Sequence, residues 1–174
     1  MKLNELKLLA ELMKNCNRSD RELARAIGVS QPTVSRMKAK LEKEGVISEY
    51  TIIPDFRKIG YHLFALTFFS MKKSIALSEM PNAIKMGVEK ASKAAPNVII
   101  IERGIGLHFD SFMMSFHKDY TSYTKLMQGV RTSQYLDLER VESFIVNLDD
   151  EVHYRSLTFA TLAKHLLEMN EKQE

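Results

Sequence analysis

The sequence predicts an α+β protein in two parts: a short helical N-terminal third, then a larger body of β-α-β-β-α-β order closed by a last helix. Three observations predict it. Two short amphipathic stretches meet at Gly28, with only Gly28-Val29-Ser30 between them. Further along, stretches of period-two apolar alternation are interleaved with stretches of period 3.6. The charge also divides. The 174 residues carry a formal net charge of only +3, yet residues 1–60 hold 12 basic and eight acidic side chains, +4, and the remainder is −1. A basic third on a near-neutral body suggests an anionic partner for that third alone.

Composition bounds the rest. Hydrophobic residues are 45% and charged residues 27%, ordinary for a soluble globular chain and contrary to disorder. The single cysteine, Cys16, cannot form an intrachain disulfide. Charges run through residues 1–7, where a signal peptide needs an apolar stretch. The apolar stretch Leu63 to Met71 is far short of the ~20 residues that span a bilayer. A cytoplasmic protein with no membrane partner is expected.

In the first helix Leu6, Leu9 and Met13 recur on one face, widened by Leu8 and Leu12. Ser19-Asp20-Arg21-Glu22 has the form of a capping box and opens a short second helix with Leu23, Ala24 and Ile27 inward. Gly28 suits its left-handed C-terminal position. Ser30 caps a third helix, residues 30–44, whose first turn tolerates Pro32 and whose inner face is Val34, Met37 and Leu41, before Gly45 stops it. Val46 to Ile53 is rich in β-branched residues and fits a wing strand or small hairpin, ended by Pro54-Asp55. Two short helices joined by a tight glycine turn form a helix-turn-helix.

The outward positions of the third helix are Gln31, Thr33, Ser35, Arg36, Lys38, Ala39 and Lys40. Gln31 can pair bidentately with adenine and Arg36 with guanine, while the Thr33 methyl can pack on a thymine methyl. Gln31, Thr33, Ser35 and Arg36 are therefore the candidates for base contacts, and Ser19, Arg21, Lys38 and Lys40 for phosphate contacts.

Residues 19–47, with Gly-Val-Ser-Gln-Pro-Thr-Val-Ser-Arg at 28–36, resemble the winged helix-turn-helix of the Lrp/AsnC transcription regulators. The 28–36 stretch alone would also suit other winged-helix regulators, such as the MarR group. The continuation Glu49-Tyr50-Thr51 through Pro54-Asp55, then Lys58-Ile59-Gly60-Tyr61, is similar to the Lrp/AsnC linker. Lys38 departs from the pattern, because the family usually carries an apolar residue there.

In the second half His62 to Met71 is strand-like. A helical stretch follows with Ile84, Val88, Ala91 and Ala95 on one face, ended by Pro96-Asn97. Val98 to Glu102 and Leu107 to Phe116 read as strands around a turn at Gly104-Ile105-Gly106. Tyr123, Leu126, Met127 and Val130 mark a second helix, and Arg140 to Leu148 a fourth strand. This order is that of a ferredoxin-like domain, and it resembles the effector-binding and dimerisation domain of the same family. Phe64, Leu66 and Phe68 alternate with Leu63, Ala65, Thr67 and Phe69, so neither strand face is polar. Helices on one face and a second subunit on the other are implied. The tail from Leu157 to Met169 puts Phe159, Leu162, Leu166 and Met169 on one helical face, expected to pack at a dimer or higher-order contact. The resulting division is a DNA-binding domain at 1–54, a linker at 55–61, the ferredoxin-like domain at 62–148 and a C-terminal helical extension at 149–174.

No catalytic constellation emerges. The five histidines show no i, i+4 pair and there are no paired cysteines, so neither a metal nor a cofactor is expected. Gly104-Ile105-Gly106 is a hairpin turn, not a nucleotide fingerprint, and no serine sits in a nucleophile elbow. The family resemblance implies a small-molecule effector site near the turn of the central strands, for which Gly104, Gly106, His108 and Asp110 are the nearest match. His108 and Asp110 would share one strand face. His108 and Phe109 alter the spacing, and ligand-bound and ligand-free readings both stand. The resulting expectation is a homodimeric regulator, open to higher assembly, that binds pseudo-palindromic double-stranded DNA and is not an enzyme. The alternatives are a tetrapyrrole decarboxylase built on the same two domains, which would carry a degenerate recognition helix, and a metabolite sensor that does not bind DNA.

Overall fold

A computed structural model of the chain describes residues 1–71, 78, 81, 82, 85, 89, 97–132, 136–152 and 157–171. It divides into two compact units, Met1–Ile53 with His153–Glu174, and Pro54–Val152.

The first unit holds α1 (Leu3–Lys14), α2 (Asp20–Ile27) and α3 (Gln31–Lys43). Ser19 caps α2 as its sequence predicts. Its Oγ accepts from the Glu22 N–H at 3.3 Å while the Glu22 carboxylate accepts from the Ser19 N–H at 2.8 Å. Gly28 follows at φ +75°, a conformation in which a Cβ would be strained, and sends the chain straight into α3. Ser30 caps α3 by accepting from the Thr33 N–H. The apolar faces meet in one core of Leu8, Leu12, Leu23, Ala24, Ile27, Val34 and Leu41, with Met37 and Ile47 packed against it.

The segment after α3 differs from expectation. Residues 46–55 lie in no strand, so the wing strand or hairpin is not formed among the described residues. Val46 and Ile47 instead donate their N–H groups to the Leu41 carbonyl, closing the helix end. β-branched composition favours a strand only where a neighbouring strand is available to pair with it.

The tail forms one helix, Ala160–Glu171, which packs on α1 of the same chain. The face it turns to α1 is centred on Ala163, and the apolar face expected at a dimer or higher-order contact is left open. Ala163 is fully buried and Leu166 and Leu167 half-buried, whereas Phe159, Leu162 and Met169 are exposed. A small side chain at Ala163 allows close approach, and that rotates the large apolar residues outward.

The second unit is a four-stranded antiparallel sheet in the order β2-β3-β1-β4, from β1 (Leu63–Met71), β2 (Val98–Gly106), β3 (Phe109–His117) and β4 (Leu136–Asn147). Helix α4 (Tyr120–Arg131) sits between β3 and β4 in sequence; the C-terminal helix Ala160–Glu171 is α5. Pro81, Asn82, Lys85 and Glu89 are helical, whereas the expected face of Ile84, Val88, Ala91 and Ala95 lies outside the described residues. One sheet face packs on α4: Phe69 and Met113 join Met127, with Tyr123, Leu126, Val130 and Val141 around them. The register puts Phe64, Leu66 and Phe68 on the opposite face, beside Phe116, Met114 and Phe112 on β3 and Val146, Phe144 and Glu142 on β4. Phe56 covers part of that face by stacking on Phe116 at 3.9 Å between ring centroids. Phe144 stays 67% exposed.

His117 ends β3 at 1% exposure. The Asn97 amide donates to the Phe116 carbonyl at 2.8 Å and lies 3.1 Å from His117 Nδ1. Nδ1 therefore accepts, and Nε2–H donates to Ser115 Oγ at 2.8 Å. Burial holds the imidazole below the ordinary histidine range, against smaller opposing effects of the Ser122 backbone and Asp119. Folding consequently excludes a proton that the unfolded chain takes up below about pH 6.5. This group's stabilisation is fully present above that pH and is lost as pH falls from there toward the depressed folded value. Urea denaturation from about pH 7.5 to about pH 5 is expected to show a falling midpoint. His117→Gln, which has no proton to gain, should flatten that slope; an unchanged slope would reject the assignment.

Candidate nucleic-acid interface

The outer face of α3 is built from its inner one. With Val34 and Leu41 buried and Met37 half-buried, the helical period turns Pro32, Arg36, Ala39 and Lys43 directly outward, flanked by Gln31, Ser35 and Lys40, all exposed. Lys43 belongs to this line and is missed by an outward face that stops at Lys40. Extending the i, i+4, i+7 spacing one further step finds it.

The predicted base-contact residues divide. Gln31 is exposed at the first turn. Arg36 reaches only weak intrahelical acceptors, the Pro32 carbonyl at 3.4 Å and Thr33 Oγ1 at 3.5 Å, so its guanidinium is available to a partner. Thr33 is half-buried and shares a 2.8 Å hydrogen bond with Ser30. Ser35 donates to the Asp20 carboxylate at 2.5 Å.

The predicted phosphate-contact residues divide as well. Arg21 and, on the same helix, Arg25 are exposed. Ser19 is engaged as the α2 cap and also donates through Oγ to Glu22 at 2.6 Å. Lys38 pairs with Asp20 at 3.1 Å. Lys40 pairs with Glu5 of α1 at 2.7 Å and approaches Glu44 at 3.8 Å. Two of the four thus serve packing between helices. The hydrogen bond from Lys40, then that from the Lys2 N–H, holds the Glu5 carboxyl below the usual carboxylate range, and Lys40 is raised chiefly by the same bond. Among the described residues Arg21, Arg25, Arg36 and Lys43 make no ion pair, and all four belong to α2 and α3. The arrangement offers cations without ion pairs on α2 and along α3, together with a polar first turn of α3, the combination that meets both phosphates and base edges.

The candidate effector residues lie elsewhere. Gly104 and Gly106 fall within β2, and the turn is Leu107-His108, at φ +51° and +63°. The hairpin pairs Gly106 with Phe109, which leaves a two-residue loop of this left-handed type. His108 is therefore in the turn and does not share a strand face with Asp110, whose carboxylate accepts from Ser111 Oγ at 2.9 Å. Among the described residues no three His, Cys, Asp or Glu side chains could hold a metal ion, and no helix is long and apolar enough to cross a membrane.

Residues 1–48 match a family of winged helix-turn-helix DNA-binding domains. An uncharacterized HTH-type transcriptional regulator of Pyrococcus furiosus is 31% identical over 102 residues, covering 59% of this chain and 63% of that protein. LrpC, an HTH-type transcriptional regulator of Bacillus subtilis, is 34% identical over 76 residues, covering 42% and 53%. These alignments span less than two thirds of either relative. The structure of LrpC superimposes with a TM-score of 0.67 at 20% identity, covering 89% of this chain and 99% of LrpC. The structure of a Neisseria meningitidis transcriptional regulator in complex with L-Met superimposes with a TM-score of 0.72 at 18% identity, covering 93% and 99%.

Proposed function

We propose that the chain is a cytoplasmic, sequence-specific transcription regulator that binds pseudo-palindromic DNA as a homodimer, a reading supported by its match to winged helix-turn-helix DNA-binding domains and by its likeness in fold to transcriptional regulators of known structure. The outer face of α3 carries this reading. Gln31 and Arg36 stand exposed at the end of a helix that normally meets base edges, and Lys43 stands on the same side further along. This recognition helix is capped, buried on its inner face and polar outside, which argues against the decarboxylase alternative and its degenerate helix. A two-fold dimer places two such helices about one helical turn of DNA, or a multiple, apart. The apolar open face of the sheet supports the dimer. The reading extends to a small-molecule effector, supported by the likeness to the Neisseria regulator that holds L-Met, with Gly104, Gly106, His108 and Asp110 as the candidate residues.

Selection of genomic fragments with the purified protein tests the reading, followed by affinity measurements at stated salt concentrations. A salt-dependent affinity for a defined duplex is expected. Arg36→Ala should weaken that binding by about 1–3 kcal/mol, roughly five- to 150-fold, and relax preference at one base position. Unchanged affinity and preference in this variant would remove Arg36 from the base-reading set, and a wild-type protein indifferent to duplex DNA would favour the metabolite-sensor alternative.

A further inference from the structure

We propose that Asp20 sets the sequence-independent part of the affinity for DNA: it holds Lys38 off the DNA backbone, so that α3 engages fewer phosphates than its lysines would allow. This rests on the DNA-binding reading above. Asp20 opens α2, 18 residues before Lys38, and its two carboxylate oxygens reach α3 at two points. One accepts from Ser35 Oγ at 2.5 Å and the other from Lys38 Nζ at 3.1 Å. The Lys38 and Asp20 side chains are each about three-quarters covered, at 26% and 24% exposure. The Lys38 ammonium also lies 5.6 Å from the centroid of the Tyr50 ring. Tyr50 in turn donates its hydroxyl to Glu42 at 2.8 Å. Lys38 is therefore engaged by a carboxylate of α2 and lies near an aromatic ring of the segment after α3, while Arg36 and Lys43 of the same helix meet no carboxylate.

The consequence follows from how charge and sequence contribute to DNA affinity. Each phosphate neutralised adds affinity for every sequence alike and steepens the loss of binding with salt. Base contacts alone distinguish sequences. A lysine occupied by an internal carboxylate withdraws one sequence-independent contact, and that carboxylate also repels a nearby phosphate. Affinity for any duplex, and its dependence on salt, are then lower than the lysines of α3 would give, while the ratio of specific to non-specific binding stays with the base contacts. A pair whose task was only to join α2 to α3 would affect stability and leave the salt dependence of binding unchanged.

The test compares wild type with D20N, K38M and D20N/K38M on the selected duplex and on a random-sequence duplex across about 50 to 200 mM salt. Asparagine keeps an acceptor for Ser35 and removes the charge. D20N is expected to steepen the slope of log Kobs against log[salt] by about 0.9, an extra loss of about threefold across that range. It should also gain affinity for the selected and the random-sequence duplex by a similar factor. K38M should keep the wild-type slope, and D20N/K38M should return to it. A D20N slope equal to wild type overturns the inference, as does a K38M slope shallower by about 0.9, which would mean that Lys38 already contacts a phosphate. Where D20N is too unstable to assay, D20S, which also removes the charge, takes its place and the same slopes decide. Wild-type protein without salt-dependent affinity for either duplex overturns the DNA-binding reading, and this inference with it.

Discussion

Phe144→Asp is expected to turn the proposed dimer into a folded monomer of 20.0 kDa and to cost about 10²- to 10⁴-fold in affinity for a two-half-site duplex. Phe144 projects from β4 beside Leu66 of β1, on the sheet face opposite α4. In one chain it is 67% exposed, so exchanging it there changes little that is packed, and surface changes of this kind usually stay within ±0.5 kcal/mol or so. In the proposed dimer, with the two open faces joined, the same position would be shielded from water. An ionised carboxylate there would be desolvated without a cationic partner and costs far more than a hydroxyl or amide would. The affinity loss comes from arithmetic: once two half-site readers separate, the second no longer binds at the high effective concentration set by the first. Light scattering after gel filtration gives the mass, circular dichroism the folding, and titration on one-half-site and two-half-site duplexes the coupling. A variant that remains dimeric would move the interface off this face. A monomeric wild type at assay concentration would remove the dimer from the proposed function.

The parts of this molecule that could be read from sequence are those fixed within a few residues. The Ser19–Glu22 box and the turn at Gly28 are decided by contacts three or four residues long, so α2 and α3 could be placed and the outer face of α3 inferred. The succession of strands and helices followed from the change between period-two and period-3.6 stretches. What could not be read depends on distance along the chain. Lys38 and Lys40 look like free cations in a helical wheel, yet their partners Asp20 and Glu5 stand 18 and 35 residues earlier. The β2–β3 turn was misplaced by the usual preference for glycine in turns. The register places Leu107 and His108 there instead, two residues that seldom adopt positive φ and are held so by the strands on either side. The wing failed for the complementary reason, since a strand-prone segment without a pairing edge stays extended and unpaired. Departure from the family pattern at Lys38 was visible from the start, but its meaning needed the carboxylate of Asp20.

Leu41→Ala is the sharpest contrast to Arg36→Ala, because the two residues lie on opposite sides of one helix. Leu41 is fully buried among Leu8, Leu23, Ile27 and Val34, where α3 meets α1 and α2. Truncation removes three carbon atoms from a close-packed site and leaves a cavity, at a cost of about 2–5 kcal/mol depending on how far the neighbours collapse. The backbone carbonyl of residue 41, which accepts from Val46 and Ile47 at 2.9 and 3.2 Å, is retained, so the loss reports packing alone. Against a typical domain stability of about 5–15 kcal/mol, that leaves the unit marginal or unfolded at physiological temperature. Urea denaturation should show the lower midpoint, and DNA affinity should fall with the folded fraction, recovering on cooling toward the temperature of maximum stability. Arg36→Ala should instead leave the midpoint near wild type and lower affinity at every temperature. If Leu41→Ala shifted stability by less than about 1 kcal/mol, the residue would not be part of a packed core, and the inner face that fixes which side chains α3 turns toward DNA would have to be redrawn.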